Sequence, residues 1–221
     1  MFDQLIIGDR ASYDDFEASV KERKIKDGAK KEIKDSVPYS NVTYDFSAIN
    51  GEVYWEDKEL EYVFEITADT PEELEVKKIA FKSWLMNVMG EKLYDPFILD
   101  YHFIATYKSI DIDDSEIEKS TITATFTAYP YMIANRAREY VVELTASEEI
   151  TVTAVNDSSH RITPTFNADV ACTVAMGGSS YAIPVGETTD DSFKLAPGEN
   201  TLTIRANESG TLRISYHEEV F

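Results

Sequence analysis

The chain has 221 residues, 43 % hydrophobic and 12 % aromatic, which is enough apolar material for one large domain or two small ones and too much for a disordered chain. Its 41 acidic side chains against 21 basic ones give a net charge of −20, which repels nucleic acid on average and excludes a phosphate-neutralising DNA or RNA binder. A single cysteine, Cys172, excludes an intrachain disulfide and a cysteine-built metal centre, and the apolar runs fall short of the ~20 residues a membrane-spanning helix needs.

The first residues, Met1 to Ile7, lack a basic n-region and read as a strand, not an export signal. One basic stretch interrupts the acidic chain: Lys21, Arg23, Lys24, Lys26, Lys30, Lys31 and Lys34 outnumber Glu22, Asp27 and Glu32. Asp27-Gly28 inside it suggests a hairpin turn with arms over roughly 18–26 and 30–37. Tyr62, Phe64, Ile66 and Ala68 alternate with polar residues, the period of a strand with one buried face. Thr70-Pro71-Glu72-Glu73 then carries a hydroxyl N-cap, a proline at the first helical position and a glutamate closing a capping box. Leu74, Phe81, Trp84, Leu85 and Val88 follow on one face at helical spacing, with Gly90 placed to end the turn, so the pattern predicts a helix over 71–89. Strands are predicted again over Tyr101–Tyr107 and Thr121–Ala128.

After about Ala137 the helix signals stop. Short strands recur: Tyr140–Leu144, Ile150–Val155, Ile162–Phe166, Val170–Ala175, Ser180–Val185, Ser192–Leu195, Thr201–Ala206 and Thr211–His217. Turn chemistry such as Gly177-Gly178, Pro197-Gly198 and Ser209-Gly210 separates them, the texture of a β-sandwich. The expected fold is mainly β with one principal helix: an α+β N-terminal domain over 1–137 followed by an all-β sandwich over 138–221.

No catalytic constellation emerges. His102, His160 and His217 stand far apart, and neither a phosphate-binding glycine loop nor a Gly-x-Ser-x-Gly elbow occurs. Asp111-Ile112-Asp113-Asp114-Ser115-Glu116 begins like a calcium loop but puts Glu116 where glycine is required and Ile122 at the last ligand position, so it reads as a hairpin tip. Acidic pairs such as Glu148-Glu149 and Glu218-Glu219 are expected by chance in so acidic a chain. The expectation is a protein that is not an enzyme and takes no cofactor and no metal. Two readings of the basic stretch stand side by side: a solvated hairpin whose lysines discourage edge pairing, or an arm docking on an acidic neighbouring subunit. Phe166 and Tyr181 are the candidate sugar contacts of a carbohydrate-binding module, although strand aromatics such as these and Tyr216 ordinarily belong to a core.

Val37-Pro38-Tyr39-Ser40-Asn41-Val42-Thr43-Tyr44-Asp45-Phe46-Ser47 resembles the Val-Pro-Gly-x-Asn-Gly-x-x-Asp-x-Ser signature of distal tail proteins of long, non-contractile-tailed bacteriophages, with Tyr39 and Val42 in place of its glycines. Lys58 to Ile66 is similar to the strand that leads into that family's helix, and Ile122 to Tyr131 to the strand and Pro-Tyr ending of its N-terminal domain. Pro197-Gly198-Glu199-Asn200-Thr201-Leu202-Thr203-Ile204, followed by Gly210 and Ile214-Ser215-Tyr216, resembles a hairpin of its galectin-like C-terminal domain. The resemblance implies a structural virion protein that forms a homo-hexameric ring at the tail tip or baseplate. That ring joins the tail tube protein to the hub, neighbours the tape-measure protein, and leaves a channel that DNA crosses without specific binding. It also implies assembly in the host bacterial cytoplasm, from a phage or prophage gene, with no membrane partner. The competing reading is a module in which residues 138–221 bind host cell-wall glycan. A third, a secreted enzyme accessory domain, is discouraged by the missing export signal.

Overall fold

The computed structural model describes residues 4–36, 39, 41–48, 51–114, 116 and 118–221. It divides into two compact units, Met1–Met132 and Ile133–Phe221, each with its own core.

The first unit runs β1 (Ile6–Ile7), β2 (Arg10–Ala11), α1 (Ser12–Phe16), β3 (Ser19–Lys26), β4 (Lys34–Ser36), β5 (Thr43–Asp45), β6 (Lys58–Thr67), α2 (Pro71–Met86), β7 (Met89–Tyr94), β8 (Tyr101–Asp113) and β9 (Lys119–Ala128). An antiparallel sheet in the order β2-β1-β7-β8-β9-β6-β3 forms its body, and β4 and β5 pair apart from it. The alternation at 62–68 is a strand as expected, with Leu60, Tyr62, Phe64 and Ile66 fully buried along one side of β6. Ile122, Ala124, Phe126 and Ala128 of β9 lie beside them, because Phe64 is registered with Ile122 and Leu60 with Phe126. The helix closes this face. Phe81 is wholly buried with its ring 5.0 Å from Phe64 and 5.5 Å from Phe16, and Leu74 and Leu85 flank it.

The start of α2 follows its sequence signal: Thr70 Oγ1 accepts a hydrogen bond from the Glu73 amide at 3.2 Å, with Pro71 next in line. Its end comes earlier than the predicted 89. Val88 is buried and its carbonyl accepts the Tyr107 amide at 2.9 Å, which pulls the chain out of the helix and into β7. Gly90, with φ +70°, serves the β7 bulge where the register against β8 shifts between Met89 and Glu91.

β10 (Met132–Ala134) begins on the last residue of the first unit, and the second unit continues with β11 (Arg138–Leu144), β12 (Glu149–Asn156), β13 (Thr165–Ala168), β14 (Cys172–Met176), β15 (Ser179–Ile183), β16 (Gly186–Thr189), β17 (Gly198–Ala206), β18 (Gly210–Tyr216) and β19 (Glu219–Val220). Two four-stranded antiparallel sheets, β11-β18-β13-β16 and β12-β17-β14-β15, enclose Phe166, Val174, Phe193, Leu202, Ile204, Leu212 and Ile214. The strands expected over 162–166 and 192–195 are not formed as such. Ile162 and Leu195 meet in an isolated bridge, and β13 starts at Thr165. At Pro197-Gly198 the chain turns with φ +90° at Gly198, and Asn200 locks the turn by accepting the Ala196 amide at 2.9 Å and donating to the Ala196 carbonyl at 2.7 Å.

The two sides of α2 differ in what they hold, and substitution reads this out. Phe81→Ala is expected to lower the unfolding free energy by about 3–5 kcal/mol through loss of packing, whereas Val76→Ala on the opposite, exposed side changes it by less than about 0.5 kcal/mol. Denaturant titration of the two variants measures the difference.

Candidate assembly surface

The basic residues of 21–34 do not form one hairpin. Lys21, Arg23, Lys24 and Lys26 lie on β3, the edge strand, which pairs with β6; Lys30, Lys31 and Lys34 lie beyond it. The turn expected at Asp27-Gly28 is absent for a physical reason. Gly28 sits against the segment that returns at Glu56, so tightly that a Cβ there would lie 1.8 Å from the Glu56 carbonyl oxygen. Glycine is required here by close approach, not by a turn. Around it the chain crosses itself: the Glu56 amide donates to Ala29 O and the Lys31 amide to Tyr54 O, both at 2.8 Å, and buried Lys58 forms an ion pair with Asp27. The described residues between Asp27 and Asp57 therefore leave and rejoin the sheet at one neck, as an arm.

Within the arm β4 and β5 pair in the register Lys34–Asp45, Asp35–Tyr44 and Ser36–Thr43. The Asp-x-Ser of the tail-protein-like motif stitches its base: Ser47 Oγ accepts the Ile33 amide at 2.8 Å and Asp45 accepts the Ser47 amide at 2.9 Å. The Ser47 hydrogen bonds hold the Asp45 carboxyl below the usual carboxylate range, and the hydrogen bond to Glu32 raises the Lys34 ammonium. Tyr39, at the first of the two positions where the motif carries glycine, has φ +65° and stands fully exposed. Val37, Pro38 and Ser40 of the same motif lie outside the described residues. Ile33, Val42, Tyr44 and Phe46 are exposed, Tyr44 and Phe46 stack at 6.3 Å, and among the described residues of the arm none joins the core of the unit. Val42, Tyr44 and Phe46 alternate with Thr43, Asp45 and Ser47 as a half-buried strand would, yet they are exposed, so the sequence pattern marks the strand and not its exposure.

On β3 the charges are matched. Lys24 stands opposite Glu61 and Lys26 opposite Glu59, while Glu65 binds Lys21 at 3.0 Å and Lys119 at 2.8 Å. Hydrogen bonds from Lys119 and then Lys21 hold the Glu65 carboxyl below the ordinary glutamate range. Glu59 likewise pairs with Lys108. Thr121, Thr123, Thr125 and Thr127 of β9 continue this wetter face. Arg23 points the other way, 2.6 Å from Asp95, a wholly buried carboxylate that also accepts the Tyr62 hydroxyl at 2.8 Å and the Phe97 amide at 2.8 Å. Its guanidinium lies 4.7 Å from the centre of the Phe97 ring. Burial, then the Asp95 charge, pushes the Tyr62 phenol up. The cluster clamps the edge strand to the core.

The remaining candidates are placed as follows. Phe166 is fully buried and packs edge-on against Phe193 at 5.0 Å, so it offers no ring face to a sugar; Tyr181 is half-buried against the same ring at 4.8 Å. His102 is buried beside Tyr94, His160 meets Glu219 at 3.0 Å and His217 Nδ1 lies 2.7 Å from the Ala134 carbonyl oxygen. At the acidic tip Asp114 engages Lys78 at 2.9 Å and Ser120 at 2.7 Å, and Ser115 lies outside the described residues. Among the described residues no group of three or more His, Cys, Asp or Glu is placed to hold a metal ion, and no helix is long and apolar enough to cross a membrane. A surface depression of about 350 Å³ beside Cys172, Ile183 and Pro184 contains one ionisable cation, Arg205, and no converging acid–base pair.

No family model and no curated protein matches the sequence. The comparison of structures is different: the crystal structure of SPP1 Dit (gp 19.1), described as a paradigm of the hub adsorption apparatus in phages that infect Gram-positive hosts, matches with a TM-score of 0.69 at 12 % identity. The match covers 97 % of this chain and 98 % of that one. The chain has the Dit fold. The mainly β architecture with one principal helix is thus shared with that Dit protein over almost its whole length.

Two outcomes follow from the clamped edge. Asp95→Ala leaves Arg23 and the Tyr62 hydroxyl without their partner and is expected to cost about 2–4 kcal/mol by denaturant titration. Glu65, with its carboxyl depressed in the folded state, contributes stability that is present above the unfolded glutamate range and is lost as pH falls through the folded value. Glu65→Gln is therefore expected to flatten the fall in melting temperature below about pH 4.3.

Proposed function

We propose that the chain is a structural virion protein of a phage tail tip: six copies form a ring at the distal end of the tail, joining the tube to the tail-tip or baseplate hub. The observation that carries this reading is the end-to-end fold match to a Dit protein, both units included. The arm adds support. It holds exposed Ile33, Val42, Tyr44 and Phe46 outside the core, and apolar surface of this kind is ordinarily covered in an assembly.

In the proposed ring the first unit lines a channel, and the second unit is a galectin-like sandwich. The face bearing Glu59, Glu61, Glu65 and the β9 threonines suits a channel wall, because its lysines are neutralised by carboxylates and do not gather free positive charge for phosphate. DNA would pass without specific binding. The partners are the tube, tape-measure and hub proteins, the location is the virion tail tip after assembly in the bacterial cytoplasm, and the role is geometric, not enzymatic. The glycan-binding alternative draws no support from the placed aromatics: Phe166 is buried, Tyr181 is packed on Phe193, and of the Phe, Tyr and Trp side chains in the second unit Phe221 is the exposed one.

Negative-stain electron microscopy of the purified protein is expected to show six-fold rings with peripheral lobes. Monomers alone at every concentration, together with tail tips that lack the chain, would overturn the proposal.

A further inference from the structure

In the second unit two buried polar side chains, Asn156 and Ser158, belong to one short loop at the end of β12. Asn156 shapes that loop. Its side-chain amide donates to the His160 carbonyl at 2.9 Å and the Leu195 carbonyl at 3.0 Å, and its oxygen accepts the Ser158 amide at 2.9 Å. The Ser158 hydroxyl, held in place by this, accepts the Glu219 amide at 2.8 Å. Charges repeat the contact on either side: His160 Nε2 lies 3.0 Å from Glu219, and Arg138 bridges Asp157 and Glu218, each at 2.7 Å. On its other side the same segment, residues 217–220, grips the residues by which the chain enters the unit. β19 pairs with β10, the Ala134 amide donates to the Glu218 carbonyl at 2.8 Å, and His217 Nδ1 lies 2.7 Å from the Ala134 carbonyl oxygen. None of Ile133, Ala134, His217, Glu218, Glu219 and Val220 belongs to the apolar core of the sandwich.

We propose that residues 217–220 are a strap that latches the entry segment, residues 133–138, onto the loop 156–160, and that the strap opens as one piece while both sheets stay closed. Segments held by hydrogen bonds and ion pairs, without apolar burial, open at lower free energy than the strands of a core. The opening is all-or-none because its ties are shared. Arg138 on the entry side pairs with Glu218 on the strap, and Ala134 meets Glu218 and His217, so losing the Ser158 contact frees both partners together. Latched, the strap fixes the entry of the chain into the second unit; open, it releases that entry without unfolding the sandwich. The device stands on these contacts and does not depend on the ring reading.

Hydrogen exchange on the full chain, read at single amides, tests this. The Ala134 and Glu219 amides are expected to share one protection factor, at least about a hundredfold below that of the Leu202 and Ile204 amides of central strand β17. Ser158→Ala, which leaves the Glu219 amide without its acceptor, is expected to speed exchange at both strap amides about tenfold, and Arg138→Ala to speed both as well. Val174→Ala weakens the core that the open state retains, so it is expected to speed the β17 amides about tenfold or more and leave Ala134 and Glu219 unchanged. Ile204→Val is the milder core variant should Val174→Ala fail to fold. Strap amides as slow as those of β17, and moved equally by the core variant, overturn the proposal by making 217–220 a fixed strand of the sandwich. Unequal protection of Ala134 and Glu219, or a Ser158→Ala effect confined to Glu219, overturns it by showing that the two sides do not open together.

Discussion

The first unit depends on one constraint: the β8-β9-β6 sheet must be dry on one side and wet on the other. Leu60, Tyr62, Phe64 and Ile66 alternate with Glu59, Glu61, Val63 and Glu65, so a slip of one residue would turn carboxylates into the core. The helix bearing Phe81 presses on the dry side, and the edge strand β3 inherits the same division. Arg23 is drawn inward to buried Asp95, while Lys21, Lys24 and Lys26 stay outward against glutamates. A basic run in the sequence thus separates, once folded, into an anchor, a neutralised ladder and an arm.

What the fold leaves over is apolar surface. The arm carries Ile33, Tyr44 and Phe46 away from the core, and α2 shows Val76 and Ile79 on its far side. Ionisable groups, by contrast, are used against one another: Glu65 between two lysines, Lys58 with Asp27, Asp114 with Lys78. Exposed apolar surface and internally paired charges are thus what the described residues of this unit present.

Where the sequence could be read, a periodic pattern coincided with a buried face. The strands of 62–68 and 121–128 and the first turn of α2 stand where Tyr62, Phe126 and the Thr70 cap place them. Where it could not, one residue type has two physical uses. Gly28 looks like a turn glycine and is a close-approach glycine; Gly90 looks like a helix stop and is a bulge residue. Phe166 has the composition of a sugar platform and the burial of a core ring. β16, Gly186–Thr189, has no apolar alternation because it is an edge strand half open to solvent. The exposure of the arm was the least legible, since Val42, Tyr44 and Phe46 alternate with polar residues as a half-buried strand would and the sequence alone does not show that no core lies beneath them.

The neck at Gly28 has a consequence for how such a molecule diverges. Since the chain enters and leaves the arm at one crossing, insertions and drift beyond it do not disturb the register of β6 against β9. Selection would hold Gly28 and Lys58 fixed at the crossing while the residues beyond it are free to drift, so that lineages come to share an architecture long after their letters have parted.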